Sequence, residues 1–296
     1  MHSIYVDFHE EPPVLQFDLV VFADLDVTVD NAVKINSPKI GISWAWDLQQ
    51  TMRQGFRVEE KLRKALNVSD LLVVDSPLVE ELARGFGLPL NHIFRAPYGI
   101  DVAHYPLREL KKPTSTKLRL YTNRRWEDLY RPRILLEMAL ELSEAGEAFE
   151  LYMANDGSLR IPLTKEFSRL FNDGFCKSLG TISQSENIKE LEKADLFISA
   201  AKSDGSSLSL LEAMGIGTPA LVTDNPANRE WIEDNVTGYL FAGETGVELA
   251  TKIRTINLDS ISRLQMSIST HEKVLGAANW AITRESLLER VHSILK

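Results

Sequence analysis

Two carboxylates eight residues apart, Asp204 and Glu212, lie within the run SDGSSLSLLEAMGIGTP from Ser203 to Pro219. The apolar run ADLFISA before it reads as a buried strand, and PALVTD after it reads as the next one. Between them a short helix is expected, capped by Ser206 or Ser207 and ended by Gly215 or Gly217. With Leu208 at zero on a wheel of about 100° per residue, Glu212 falls about 40° away, inward with Leu208 and Leu211. A carboxylate there is desolvated unless something bonds to it. Asp204, the turn Gly205, Ser206 and Ser207, and a helix N-terminus therefore converge at the carboxyl end of one strand, where open α/β sheets bind ligands. N-terminal amides and the helix dipole suit an anion.

A second group is NRRWEDLYRPR, with Arg124, Arg125, Arg131 and Arg133 around a loop that follows a strand. Arginine grips phosphate oxygens in a bidentate fork, so such a cluster suits a phosphate-bearing ligand. Arg124 is the expected functional cation; Arg125 and Arg131 are candidate phosphate ligands, with a solvated surface run as the competing reading. His9, His92, His104, His271 and His292 show no metal-ligand spacing with one another or with Cys176, so no metal is assigned. Walker, zinc and Gly-x-Ser-x-Gly motifs are absent from the sequence. Trp44 and Trp46 in SWAWD read first as core or wall aromatics, with Trp44 and Asp47 as candidate acceptor-side residues.

These groups need a scaffold, and the chain alternates short apolar runs with amphipathic helical patterns throughout. IYVDF, FDLVVFA, KIGISWA and DLLVVDS read as strands in the first half, with helices over TMRQGFRVEEKLRKAL and PLVEELARGFG. His104 to Lys117, polar and holding two prolines, reads as a linker. LRLYTN, FELYMA, FCKSL, ADLFISA, PALVTD and GYLFA read as strands beyond it, and a tail from about Ile261 reads as helical. Such alternation predicts parallel sheets with helices on both faces, here twice over. The 296 residues accommodate two domains. A net charge of -9 argues against a general nucleic-acid binder. One cysteine excludes an intramolecular disulfide and fits a reducing compartment. No apolar run approaches the ~20 residues of a membrane span, and the acidic start lacks signal-peptide order. A cytoplasmic enzyme or binding protein is expected.

With these residues in place the chain resembles the retaining glycosyltransferases of family 4, which have the GT-B fold. The family's Glu-x7-Glu stands here as Asp204-x7-Glu212, followed by Gly217-Thr218-Pro219, Asp224, Glu230 and Thr237-Gly238. PYGID at Pro97 to Asp101, the Arg124 loop and SLGTI at Ser178 to Ile182 keep the family's order, and the likeness is strong from about residue 68 to 242. The resemblance implies two Rossmann-like domains with parallel sheets: residues 1–106 on the acceptor side, residues 107–280 binding a sugar nucleotide, and 281–296 as a helix packing back on the first domain. It implies transfer of a sugar from a nucleotide-diphosphate sugar to a glycan, lipid-linked or other hydroxyl acceptor with retained configuration. The chemistry would serve glycan or polysaccharide biosynthesis, with no cofactor and with peripheral membrane association allowed. Arg124 and Asp204 take catalytic positions. Gly180, Thr181, Ile182, Gly205, Ser206, Ser207 and Glu212 take donor-binding ones. Two departures stand out. Leu129 occupies the place of a family lysine, and the glycine-rich loop of the family's opening is missing, so the N-terminal domain is expected to be reduced or the chain to begin inside a longer protein. Rival readings are a non-catalytic sugar-nucleotide-binding or regulatory subunit, and an epimerase.

Overall fold

A computed structural model of the chain describes residues 17–45, 47–48, 56–109, 117–256 and 260–296, with the backbone alone for residues 56, 57 and 260. The chain divides into two compact units, one made of the residues up to Tyr98 with Ala281–Lys296, the other of Gly99–Trp280.

The first unit runs β1 (Val20–Ala23), α1 (Leu25–Ala32), β2 (Lys39–Ile42), α2 (Phe56–Val68), β3 (Leu71–Val74), α3 (Pro77–Gly85) and β4 (Ile93–Arg95). The four strands pair in parallel in the order β1-β2-β3-β4. β3 is buried at all four positions, as a strand covered on both faces must be. Leu62, Leu66, Val79 and Ala83 of α2 and α3 cover one face. The C-terminal helix, Trp280–Ile294, lays Leu287, Val291 and Ile294 near Ile40, Leu71 and Val73 on the other. Ser76 caps α3 by accepting from the Val79 amide, with Pro77 in the first turn, as the sequence pattern requires. The strand expected at IYVDF lies outside the described residues.

The second unit runs β5 (Leu118–Thr122), α4 (Pro132–Glu144), β6 (Phe149–Ala154), α5 (Arg160–Glu166), α6 (Ser168–Asn172), β7 (Cys176–Gly180), α7 (Gln184–Lys193), β8 (Leu196–Ser199), α8 (Leu208–Ile216), β9 (Ala220–Thr223), α9 (Pro226–Trp231), β10 (Tyr239–Phe241), α10 (Gly246–Thr255) and α11 (Ser260–Ala277). Its six strands are all parallel, in the order β10-β9-β8-β5-β6-β7. That is the doubly wound Rossmann order, and it reverses between β5 and β8. One core packs α4 and α10 on the sheet through residues such as Leu135, Met138, Leu249 and Ile253. The other packs α7, α8 and α9 through Leu191, Leu211, Met214 and Trp231. The loops after β5 and β8 therefore leave adjacent strands side by side, where a ligand crevice forms.

Two expectations need correction. The boundary falls at Tyr98/Gly99 rather than near residue 106, because the supposed linker packs into the second unit. Tyr105 and Arg108 are buried, and Arg108 donates to the Ala194 carbonyl at 2.5 Å. Proline and polar residues signalled irregular backbone there, not a boundary; residues 110–116 lie outside the description. The helical tail also breaks at Asn279. The Ile100 amide bonds the Ala278 carbonyl, and the Trp280 amide bonds Ile100. Gly99 permits this crossing: its φ is 67°, and a Cβ there would lie 2.5 Å from the Ala278 carbonyl oxygen.

Candidate functional site

The crevice between the β5 and β8 loops is organised by Arg124. Its Nη1 donates to Ser207 Oγ at 2.5 Å, and its Nη2 donates to both Asp204 oxygens at 2.8 and 3.0 Å. The guanidinium also lies over the Tyr130 ring, 4.2 Å from its centroid. The Arg124 and Asp204 side chains are only 8% and 13% exposed, so this is a desolvated pair. Burial pushes the Asp204 carboxyl above its ordinary range, with Arg124 and Ser207 pulling the other way. Ser207 is also the cap of α8, accepting from the Leu210 amide at 3.4 Å. One hydroxyl thus ties the cation to the helix N-terminus.

The Arg124 loop is itself held from behind. Buried Trp126 donates its amide to Asp156, and its carbonyl accepts from the Leu159 amide. Gly157 lies so close that a Cβ would sit 2.5 Å from the Trp126 carbonyl oxygen and 2.8 Å from its amide nitrogen. Because those atoms are backbone, Gly157→Ala is expected to cost about 1–3 kcal/mol. Urea unfolding measures this, and an unchanged midpoint would show that the two loops part freely.

Glu212 is reached from three other segments. Tyr105 Oη donates to Oε1 at 2.8 Å, while Asn123 Nδ2 and Asn187 Nδ2 donate to Oε2 at 3.2 and 3.0 Å. Behind them, Gln184 Nε2 donates to Tyr105 Oη at 2.9 Å, and Tyr121 Oη donates to Asn187 Oδ1 at 2.7 Å. Burial raises the Tyr105 hydroxyl well above the usual tyrosine range, which keeps it a donor. The inward carboxylate is therefore answered by neutral amides and phenols. Leu208, expected inward beside it, is instead 49% exposed. The wheel places Glu212 correctly beside Leu211, but a residue in the first helical turn is packed only where its own loop covers it.

The remaining expected residues divide clearly. Gly205 is half-buried, and Ser206 is buried beside Ser207. Gly180, Thr181 and Ile182 leave the end of β7; Gly180 takes φ 66°, its carbonyl accepts from the Asn155 amide at 2.7 Å, and Thr181 is exposed. Arg131 is a correction. Its buried guanidinium donates to the Ala200 carbonyl, to Thr223 Oγ1 and to Glu244, which joins the ends of β8 and β9 instead of facing the Arg124 cluster. Arg125 is exposed, its charge felt by Glu127. At Leu129, where the resemblance implies a lysine, the carbonyl accepts from the Lys202 amide, and the Lys202 ammonium pairs with Asp128 at 2.6 Å.

In the first unit Trp44 is 48% exposed just beyond β2, which excludes a core place and leaves the wall and acceptor-side readings. It leans on Tyr98, with ring centroids 5.1 Å apart, and the Tyr98 hydroxyl donates to the Ser43 carbonyl at 2.6 Å. Ala45, next in the chain, holds φ 66°, a strained conformation for a residue with a Cβ. Asp47 is also corrected: it is buried, accepting from Ser43 Oγ at 2.6 Å and from the Leu48 and Leu25 amides, so it organises the turn rather than facing an acceptor. Trp46 lies outside the described residues. Among the described residues no group of three or more His, Cys, Asp or Glu is placed to hold a metal. No helix among them is long and apolar enough to cross a membrane.

Tyr105, Asn123, Gln184 and Asn187 were not read as functional from sequence. Asn123 beside Arg124, at the end of a strand, and the Gln184/Asn187 spacing on one helix face were available signals. Tyr105 carried none, because its partner Glu212 is 107 residues away.

The family model described as glycosyl transferases group 1 matches residues 108–273. Alpha-monoglucosyldiacylglycerol synthase of Streptococcus pneumoniae is 26% identical over 247 residues, covering 79% of this chain and 54% of that protein. The amylovoran biosynthesis glycosyltransferase AmsK of Erwinia amylovora is 24% identical over 227 residues, covering 75% of this chain and 56% of that protein. The chain thus spans about half the length of these curated relatives. Among solved structures, Anabaena HepE in complex with UDP superposes with a TM-score of 0.78 at 16% identity, over 94% of this chain and 79% of that one. At that identity the likeness shows the fold: two Rossmann-like domains of the GT-B type.

Proposed function

The chain belongs to the group 1 glycosyl transferases, and from that premise we propose that it moves a sugar from a nucleoside diphosphate sugar to an acceptor hydroxyl, with retention, in glycan or polysaccharide assembly. The observation that carries the reading is the convergence of Arg124, Asp204, Ser207 and Glu212 at the strand-order switch of the second unit. Glu212 accepts from the ribose hydroxyls. The N-terminal amides of α8 and Arg124 take the diphosphate, and Asp204 accepts from the hydroxyls of the transferred sugar. Charge on the departing diphosphate is met by groups already in place, so the chemistry calls for positioning and charge stabilisation, without a resident cofactor. The Gly180 to Ile182 backbone lies along the base. HepE has been solved with UDP and with UDP-glucose, which makes uridine the first base to try here.

On the acceptor side the exposed Trp44 face, braced by Tyr98, is a stacking surface for a ring of the acceptor. The test is turnover of a panel of UDP-, GDP- and ADP-sugars with glycan and lipid-linked acceptors, reading the anomeric configuration of the product by NMR. Transfer with retention from one donor is expected, with Trp44→Ala raising the KM for acceptor alone. Binding of a donor with no transfer to any acceptor would sink the reading, and an inverted product would remove its mechanism.

A further inference from the structure

At the amino end of the second sheet, away from the Arg124 crevice, lies a separate group of charges. Arg108 is 9% exposed, and its Nη1 donates to the Ala194 carbonyl at 2.5 Å. The Arg263 side chain, on α11, is 11% exposed, and its Nη1 donates to Asp195 Oδ1 at 2.5 Å. The other Asp195 oxygen accepts from the Arg119 amide at 2.8 Å. Burial pushes the Arg108 guanidinium down to about 10; Asp195 opposes that shift and Arg263 adds to it. The two guanidinium groups therefore feel each other across one carboxylate. Nε of each is buried without a partner, and neither Nη2 makes a hydrogen bond among the described residues. One turn after Arg263, Ser267 is fully buried with its Oγ unpartnered. It packs against Gly217, next to the Ile216 carbonyl that accepts from the Arg108 amide.

The neighbouring ion pairs leave this imbalance in place, because Arg119 and Lys193 share Glu190. Arg108, Arg119, Lys193 and Arg263 thus face only Asp195 and Glu190 in this cluster, although the chain as a whole carries a net charge of -9. Burying a guanidinium is costly unless an anion answers it. We propose that Arg108 and Arg263, with Asp195 between them, form a binding site for a phosphate group, carried by inorganic phosphate or by a phosphate monoester. The proposal is independent of the donor-site reading: β8 spans four residues, about 13 Å of strand, between Asp195 and the loop that carries Asp204. A tetrahedral oxyanion accepts from Nη groups of both arginines, and its charge answers the surplus cation. Once bound, it clamps α11 and the segment around Arg108 onto the start of β8. Asp195 holds Arg263 in place and, as a second anion at the same cations, limits the affinity.

Calorimetry on the whole chain at fixed ionic strength tests the site, with inorganic phosphate and glycerol 3-phosphate as ligands and chloride as the control. Saturable binding of phosphate over chloride is expected. Arg263→Gln should weaken it about tenfold or more, while Arg124→Ala, which alters only the donor crevice, should leave it in place. Asp195→Asn removes the competing charge and should tighten binding by about tenfold, a gain that a damaged fold does not produce. Tighter binding of glycerol 3-phosphate assigns the site to a monoester, and the reverse order assigns it to free phosphate. A second measurement uses the unaltered chain and so does not depend on any variant folding. Phosphate in place of chloride should slow amide hydrogen exchange along α11. The proposal is overturned by equal binding in Arg263→Gln and the wild-type chain, by loss of binding in a folded Arg124→Ala chain, or by unchanged exchange along α11.

Discussion

Replacing Arg124 with alanine is expected to lower turnover by about two to three orders of magnitude, the cost of removing one fixed donor from a site where charge develops. Arg124 is 8% exposed and joined to Asp204 and Ser207, so water supplies a poor substitute. Affinity for a nucleoside lacking phosphates should change little, since the proposed partner is phosphate. Arg124→Lys keeps the charge without the fork and should recover only part of the rate. Steady-state kinetics beside calorimetry with nucleoside and nucleotide sugar separate these outcomes; equal losses for both ligands would assign Arg124 to general structure.

The same substitution has a pH signature. Burial already holds the Asp204 carboxyl above its ordinary range, with Arg124 opposing that shift. Without Arg124 the folded chain should hold this proton more tightly still. A carboxyl raised on folding destabilises the folded state where it must ionise, and that penalty fades as pH falls through its folded value. The stability lost in Arg124→Ala should therefore be smaller at about pH 5 than at about pH 8. Urea midpoints at the two values read the sign.

Glu212→Gln should weaken nucleotide binding by roughly 10- to 100-fold, corresponding to about 1.5–3 kcal/mol for the loss of a charged acceptor. Its effect extends beyond the ligand. Tyr105, Asn123 and Asn187 all donate to this carboxylate, so the amide of a glutamine would bring a further donor among donors. A loss of about 1–3 kcal/mol of folding stability is expected alongside. Tyr105→Phe removes one donor and adds none, and should cost less in both measurements. Full nucleotide affinity in a destabilised Glu212→Gln chain would leave the carboxylate a purely structural role.

Much of the scaffold could be read along the chain. Fully buried runs such as LLVV, LFIS and ALVT mark strands covered on both faces, and Ser76-Pro77 marks the start of α3. Shorter signals were passed over. α10 has a capping box of Thr245 and Glu248, α9 opens with Asn225 and Pro226, and β4 is only three residues long. At that length periodicity is weak, and capping or turn residues carry most of the information.

By itself the sequence determined the alternation of strand and helix, the placing of the candidate site at the ends of β5 and β8, and the spacing that aims Glu212 inward. These follow from local periodicity and from caps within a few residues of one another. The tertiary structure decided which charges meet. Arg124 and Arg131 are seven residues apart in one arginine-rich loop, yet one pairs with Asp204 and the other joins Ala200, Thr223 and Glu244. Asp47, expected on the acceptor side, is buried and accepts from Ser43, while Trp44, three residues earlier, is exposed. The physical reason is that a side chain's partner is set by strand order and loop direction. Arg124 finds Asp204 80 residues away because β5 and β8 are neighbours in the sheet.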